Sequence, residues 1–152
     1  MTVEYNIENP SEIKEELLPL HEKHYEDDFR KSTTALDIDW GIYNLLYEDG
    51  SLICMIAREE EKIVGYMTTH VATHPHNKNT VLASMDTLFV DIEHRSKGIA
   101  TGLMTSTEKE AYIRGAVYMN AGFRDEALAE LVAGKLGYKK IECTLGKVLK
   151  GE

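Results

Sequence analysis

The segment Met85-Asp-Thr-Leu-Phe-Val-Asp-Ile-Glu-His-Arg-Ser-Lys-Gly-Ile-Ala-Thr-Gly-Leu-Met104 constrains the fold more than any other stretch of the chain. It reads as an apolar strand, a basic turn containing Gly98, and a helix that begins within that turn. The first amides of a helix have no acceptor behind them, the helix dipole adds partial positive charge, and Arg95 and Lys97 add full charges. Gly98 lets the backbone approach a ligand with no Cβ in the way. The junction therefore predicts an α/β chain with a phosphate site where the strand meets the helix. Neither Gly-x4-Gly-Lys-Ser/Thr nor Gly-x-Gly-x-x-Gly occurs there, so the two commonest phosphate loops are excluded.

Periodicity fills in the rest. Val3, Tyr5 and Ile7 alternate as a first strand. Asn9-Pro10-Ser11 predicts a helix start, with Ile13, Leu17, Leu20, His21, His24 and Tyr25 on one stripe and Pro19 kinking or dividing it. A second helix is expected from Ile38 to Tyr47, with Trp40, Tyr43, Leu46 and Tyr47 as its apolar side. Leu52 to Arg58 and Ile63 to Thr73 read as a hairpin, followed by a polar loop over 74–80 and a strand from Val81 to Val90. Then come a helix over Gly98–Arg114, a strand over Ala116–Asn120, and a helix from Glu126 to Leu136 capped by Asp125 and stopped by Gly137. Tyr138 to Leu149 is expected as a final strand. The order β-α-α-β-β-β-α-β-α-β in 152 residues predicts one mixed α/β domain.

The net charge of −9 sits entirely in residues 1–50, which hold 13 acidic and 4 basic residues, whereas residues 51–152 hold 13 of each. The excess is either a solvated helix face or an acidic rim that attracts a cationic substrate. It disfavours a nucleic-acid partner. No apolar run approaches a membrane span and Met1-Thr-Val-Glu lacks the character of a signal peptide, so no membrane partner and a cytoplasmic location are expected. Cys54 and Cys143 read as two reduced core thiols.

Element order, turn and ending together resemble the GNAT family of acyl-CoA-dependent N-acyltransferases. Arg95-Ser-Lys-Gly98-Ile-Ala100 fits that family's Arg/Gln-x-x-Gly-x-Gly/Ala signature, and Lys135-Leu-Gly-Tyr138 is similar to its helix ending. Val64-Gly-Tyr, His74-Pro-His-Asn-Lys-Asn and Asp86-Thr-Leu-Phe-Val also resemble the small GNAT proteins of tailed bacteriophages, for which the host cytoplasm would be the location. The resemblance implies a central mixed and largely antiparallel twisted sheet flanked by about four helices. It implies acetyl-CoA as donor, with Leu88, Phe89 and Val90 along the pantetheine arm and Arg95, Ser96, Lys97, Gly98, Ile99 and Ala100 around the pyrophosphate. The implied reaction is direct transfer of acetyl to a primary amine, of a small molecule or a protein. A homodimer is compatible with all of this.

An ammonium must lose its proton before it attacks, so a base is needed. Asp86 holds the strand position where the family often has a base-relaying Glu. Strand alternation predicts that it shares the facing of Leu88 and Val90. The plainer alternative is an Asp satisfying backbone donors. The Tyr that often protonates the leaving thiolate is replaced by Ala133, and the Asn seven residues before it by Glu126. That departure leaves the acid unassigned and opens a second reading, a non-catalytic acyl-CoA-binding or protein-interaction module. Tyr138 reads as a core aromatic. His24, Tyr25 and Trp40, with His21 and Tyr43, fall where the family builds its acceptor wall, or pack the helices. His70, His74 and His76 share one parity, which suggests a zinc site, a substrate-contacting loop or a solvated hairpin end.

Overall fold

The computed structural model describes residues 2–28, 31 and 34–149. Five strands form one sheet in the order β1 (Val3–Ile7), β2 (Leu52–Glu59), β3 (Lys62–His74), β4 (Asn77–Val90) and β5 (Ala116–Asn120). The first four pair antiparallel and β4 pairs parallel with β5, which gives the mixed, largely antiparallel sheet expected. Helices α1 (Lys14–Tyr25) and α2 (Trp40–Glu48) cover one face. Helices α3 (Ile99–Ile113) and α4 (Glu126–Leu136) cover the other.

Two apolar clusters follow from strand alternation. Ile53, Met55 and Ala57 of β2, Met67 and Val71 of β3, and Ala83 and Val90 of β4 meet Ile99, Leu103 and Met104 of α3. Cys54, Ile56, Ile63, Tyr66 and Phe89 meet Leu17 and Leu20 of α1, with Trp40 against them. Close packing of α3 on the sheet depends on Gly102, where a Cβ would lie 2.2 Å from the Tyr5 hydroxyl.

Several expectations need correction. Pro19 does not divide α1; it lies exposed within one continuous helix, where water can reach the carbonyl its missing N–H leaves unbonded. The helix begins at Lys14 rather than at Pro10, because Asn9 Oδ1 accepts from the Ser11 amide and hydroxyl and holds a turn instead. The polar loop over 74–80 is mostly strand: β3 runs to His74 and β4 begins at Asn77, so Pro75 and His76 form a tight turn where no ladder donor is needed. The final strand over 138–149 is not formed, and Ile141, Leu145 and Leu149 are exposed because β5 pairs with no strand on its outer edge among the described residues. Cys143 lies exposed in this segment, so only Cys54 is a core thiol; burial pushes it up to about 12.

Candidate active site

The site begins with a break in alternation on β4. Thr87 pairs with Thr68 and Met85 with Thr69, so Asp86 has no partner on β3 and forms a bulge. One extra residue reverses the facing of everything beyond it. Ala83 and Met85 face α3, and so do Leu88 and Val90 on the far side of the bulge, whereas Thr87 and Phe89 turn toward α1 and α2. Asp86 therefore does not share the facing of Leu88 and Val90. Its carboxylate lies with Thr68 Oγ1 at 3.4 Å, and Thr68 in turn meets Thr87 Oγ1 at 2.5 Å.

The other edge of β4 is open beside the bulge. Pairing with β5 covers Val81–Ser84 and ends at Ser84 opposite Asn120, so among the described residues no strand pairs with Asp86 to Val90 on that side. Such an edge can hydrogen-bond an extended ligand carrying amides. At its end Arg95 Nε donates to the Val90 carbonyl at 2.9 Å, and its guanidinium carbon lies 5.5 Å from the Phe89 ring centroid. Arg95 thus turns back over the strand end and occupies one lone pair of the Val90 carbonyl through Nε.

The turn itself is held from both sides. Lys23 Nζ contacts both oxygens of Asp91, at 3.1 and 3.2 Å, and His94 Nε2 lies 3.2 Å from Glu59 Oε2. Burial alone would raise the Asp91 carboxyl, but the bonded Lys23 ammonium outweighs it and holds the group below the ordinary carboxylate range. Ser96 and Gly98 adopt left-handed backbone, with φ of 63° and 80°. The first helical bond runs from the Gly102 amide to the Gly98 carbonyl, and the amides of residues 96–101 find no acceptor among the described residues. The free strand edge and these unbonded amides fit a diphosphate joined to an amide-bearing arm.

Toward α1 the polar line continues into the protein. The Tyr66 hydroxyl sits 3.0 Å from His21 Nδ1 and 2.7 Å from His24 Nδ1, and the His24 ring stacks on Phe89 at 5.1 Å. Burial, then the neighbouring His24, depresses His21 to about 4; burial also lowers His24. Trp40 sets its ring edge-on to His21 at 6.1 Å. Tyr25 lies farther along α1 and bonds Thr34 of the connection to α2. Burial, and then the Asp86 charge, raises Tyr43 to about 12, keeping it a hydroxyl donor near that carboxylate.

The three histidines on the β3–β4 hairpin do not converge. His74 and His76 pack edge to face, while His70 pairs with Asp86, and no group of three metal-capable side chains occurs among the described residues. Tyr138 is half-buried and donates to Glu108 Oε1 at 2.8 Å, a packing role as expected. Sequence reasoning missed Tyr66, Thr68 and Thr87; the parity of Tyr66, Thr68 and His70 on β3 was the available signal, but the bulge that brings β4 to meet them left none.

The sequence model of the acetyltransferase (GNAT) family matches residues 11–138. The chain belongs to that family. It is thus an acyltransferase that uses acetyl-CoA. No curated protein gives a significant match. Solved structures with the same fold include an aminoglycoside acetyltransferase, meta-AAC0020, from an uncultured soil metagenomic sample, crystallised with sisomicin. It is 23% identical with a TM-score of 0.72, over 98% of this chain and 96% of that one. A predicted acetyltransferase with acetyl-CoA from Clostridium acetobutylicum is 19% identical with a TM-score of 0.75, over 97% of each chain. A ribosomal-protein-alanine N-acetyltransferase from Brucella melitensis biovar Abortus 2308 is 18% identical with a TM-score of 0.71, over 99% and 100%. At these identities the likenesses speak to the fold of this acetyltransferase.

Proposed function

We propose that this GNAT acetyltransferase moves an acetyl group from acetyl-CoA to a primary amine on a cationic acceptor, by direct attack in a ternary complex. The carrying observation is Asp86, which the bulge turns to the α1/α2 face beside the open edge of β4. The edge from Leu88 to Val90 and the amides of 96–100 would bind the donor, with Lys97 nearby. Asp86 then supplies the negative charge that holds an ammonium and draws off its proton, directly or through one intervening group. His24, Tyr25 and Trp40 belong to the helices covering that face and are proposed as the acceptor wall. Acidic residues dominate this part of the chain, which favours a cation.

The fold relative that is an aminoglycoside acetyltransferase, crystallised with sisomicin, supports a small cationic amine as acceptor. The family assignment takes precedence over the non-catalytic reading raised by Ala133. We keep the whole chain as one functional unit acting in the cytoplasm without nucleic acid. A homodimer is part of the same reading, since β5 leaves Val117 and Tyr118 exposed at the sheet edge. The bacteriophage sub-group rests on the resemblance alone; the relatives above lend it no support. The test is release of CoA thiol with a panel of cationic, neutral and acidic amines, with Asp86→Asn as control. Faster turnover of acidic amines than cationic ones would sink the charge argument.

A further inference from the structure

His70 and Asp86 form a pair that the acetyl-transfer reading does not yet use. Nε2 of His70 lies 3.9 Å from Oδ2 of Asp86, and the two side chains are 44% and 43% exposed. Their neighbours on the same face are sealed: Tyr66 and Thr68 are 0% and 1% exposed. The pair therefore stands where this polar face opens to solvent, within reach of an incoming amine. The titratable groups that feel the Asp86 charge are Tyr43 from α2 and Tyr66 from β3, both held as neutral hydroxyls chiefly by burial. From β2 the residue opposite His70 is Leu52, which is apolar.

An alkylammonium gives up its proton reluctantly, and a base works best when it titrates near the operating pH. Imidazoles do so as a class, whereas carboxylates titrate about 2 units lower. Resting on the acetyl-transfer reading, we infer that His70 is the group that takes the proton from the acceptor ammonium, while the Asp86 charge on its Nε2 side stabilises the imidazolium. The balance closes. R–NH3+ gives one proton to His70 Nδ1, the ring nitrogen opposite the one beside Asp86, and the free amine attacks the thioester carbonyl. The C–N bond forms as the C–S bond breaks, the departing thiolate takes the second nitrogen proton, directly or through water, and His70 returns its proton to solvent.

The experiment is the pH profile of kcat/KM for a diamine, followed by thiol release, in the full-length chain and three variants with folding checked by circular dichroism. His70→Gln is expected to lower kcat/KM about 100-fold at pH 7 and to abolish the acidic limb, with the KM for acetyl-CoA unchanged. His70→Ala should regain part of its rate on adding free imidazole, which a merely structural histidine would not allow. Asp86→Asn should keep the acidic limb, since the imidazole remains, and lower kcat/KM by less than His70→Gln does. A His70→Gln enzyme within threefold of wild type and with the same profile overturns the inference alone. A wild-type chain that binds acetyl-CoA but releases thiol with no amine overturns the acetyl-transfer reading, and this inference with it.

Discussion

The hydroxyl of Tyr66 lies 3.0 Å from Nδ1 of His21, with both side chains inside the protein. His24 brings its own Nδ1 to the same oxygen at 2.7 Å. A hydroxyl carries one proton, so at least one of these imidazoles holds its proton on Nδ1 and donates. Tyr66→Phe would strand both nitrogens. We expect a loss of about 1–3 kcal/mol, read as a lower urea midpoint at unchanged slope.

The same arrangement sets an acid limit. His21 is depressed to about 4, chiefly by burial, whereas the unfolded chain takes up protons from pH 6.5 downward. The unfolded state thus binds more protons between these values, so stability is fully present above pH 6.5 and lost as pH falls toward 4. The shift corresponds to about 3 kcal/mol, and the lowered His24 adds to it. Urea midpoints measured from pH 7.5 to 4 should fall accordingly, and His21→Gln should flatten that slope.

Gly102 tests the contact between α3 and β1. Alanine ordinarily stabilises a helix interior by up to about 1 kcal/mol over glycine. Here its Cβ would meet Tyr5 Oη at 2.2 Å and Cζ at 2.4 Å. Gly102→Ala should therefore destabilise, by about 1–3 kcal/mol, and Tyr5→Leu in the same chain should recover part of the loss. An additive double mutant would place the cost elsewhere.

Gly98 tests donor binding. Its φ of 80° is unfavourable for a residue with a Cβ, although space is open there, with Thr101 Oγ1 3.8 Å away. Gly98→Ala should strain the turn by about 1–2 kcal/mol and raise the KM for acetyl-CoA about tenfold, leaving the amine KM unchanged. Equal rises in both would deny the turn a donor-specific role.

The elements carried by strong periodicity were legible: α2, α3, α4, β1, β2, β3 and β5 fall close to where apolar spacing, Asp125 and Gly137 put them, while β4 begins earlier, at Asn77. The basic turn was legible because its glycine and its place after a strand are local facts. Asp86 was found but misdirected, because a bulge depends on two strands and leaves no mark in either. The expected strand over 138–149 shows the converse, an alternating pattern with no partner strand to pair with. The sharing of Tyr66 between two histidines needed three elements in contact, which no single stretch of sequence encodes.

The open edge of β4 and the unbonded amides at the start of α3 offer main-chain atoms, which every substitution except proline leaves in place. A donor held there, as proposed, would be recognised almost without regard to side-chain identity. Drift along β4 and α3 is then limited by packing, while the opposite face of the sheet can be rewritten for a new acceptor at little cost to the donor. Proteins sharing about a fifth of their residues can, on this basis, keep one acyl supply and diverge in what receives it.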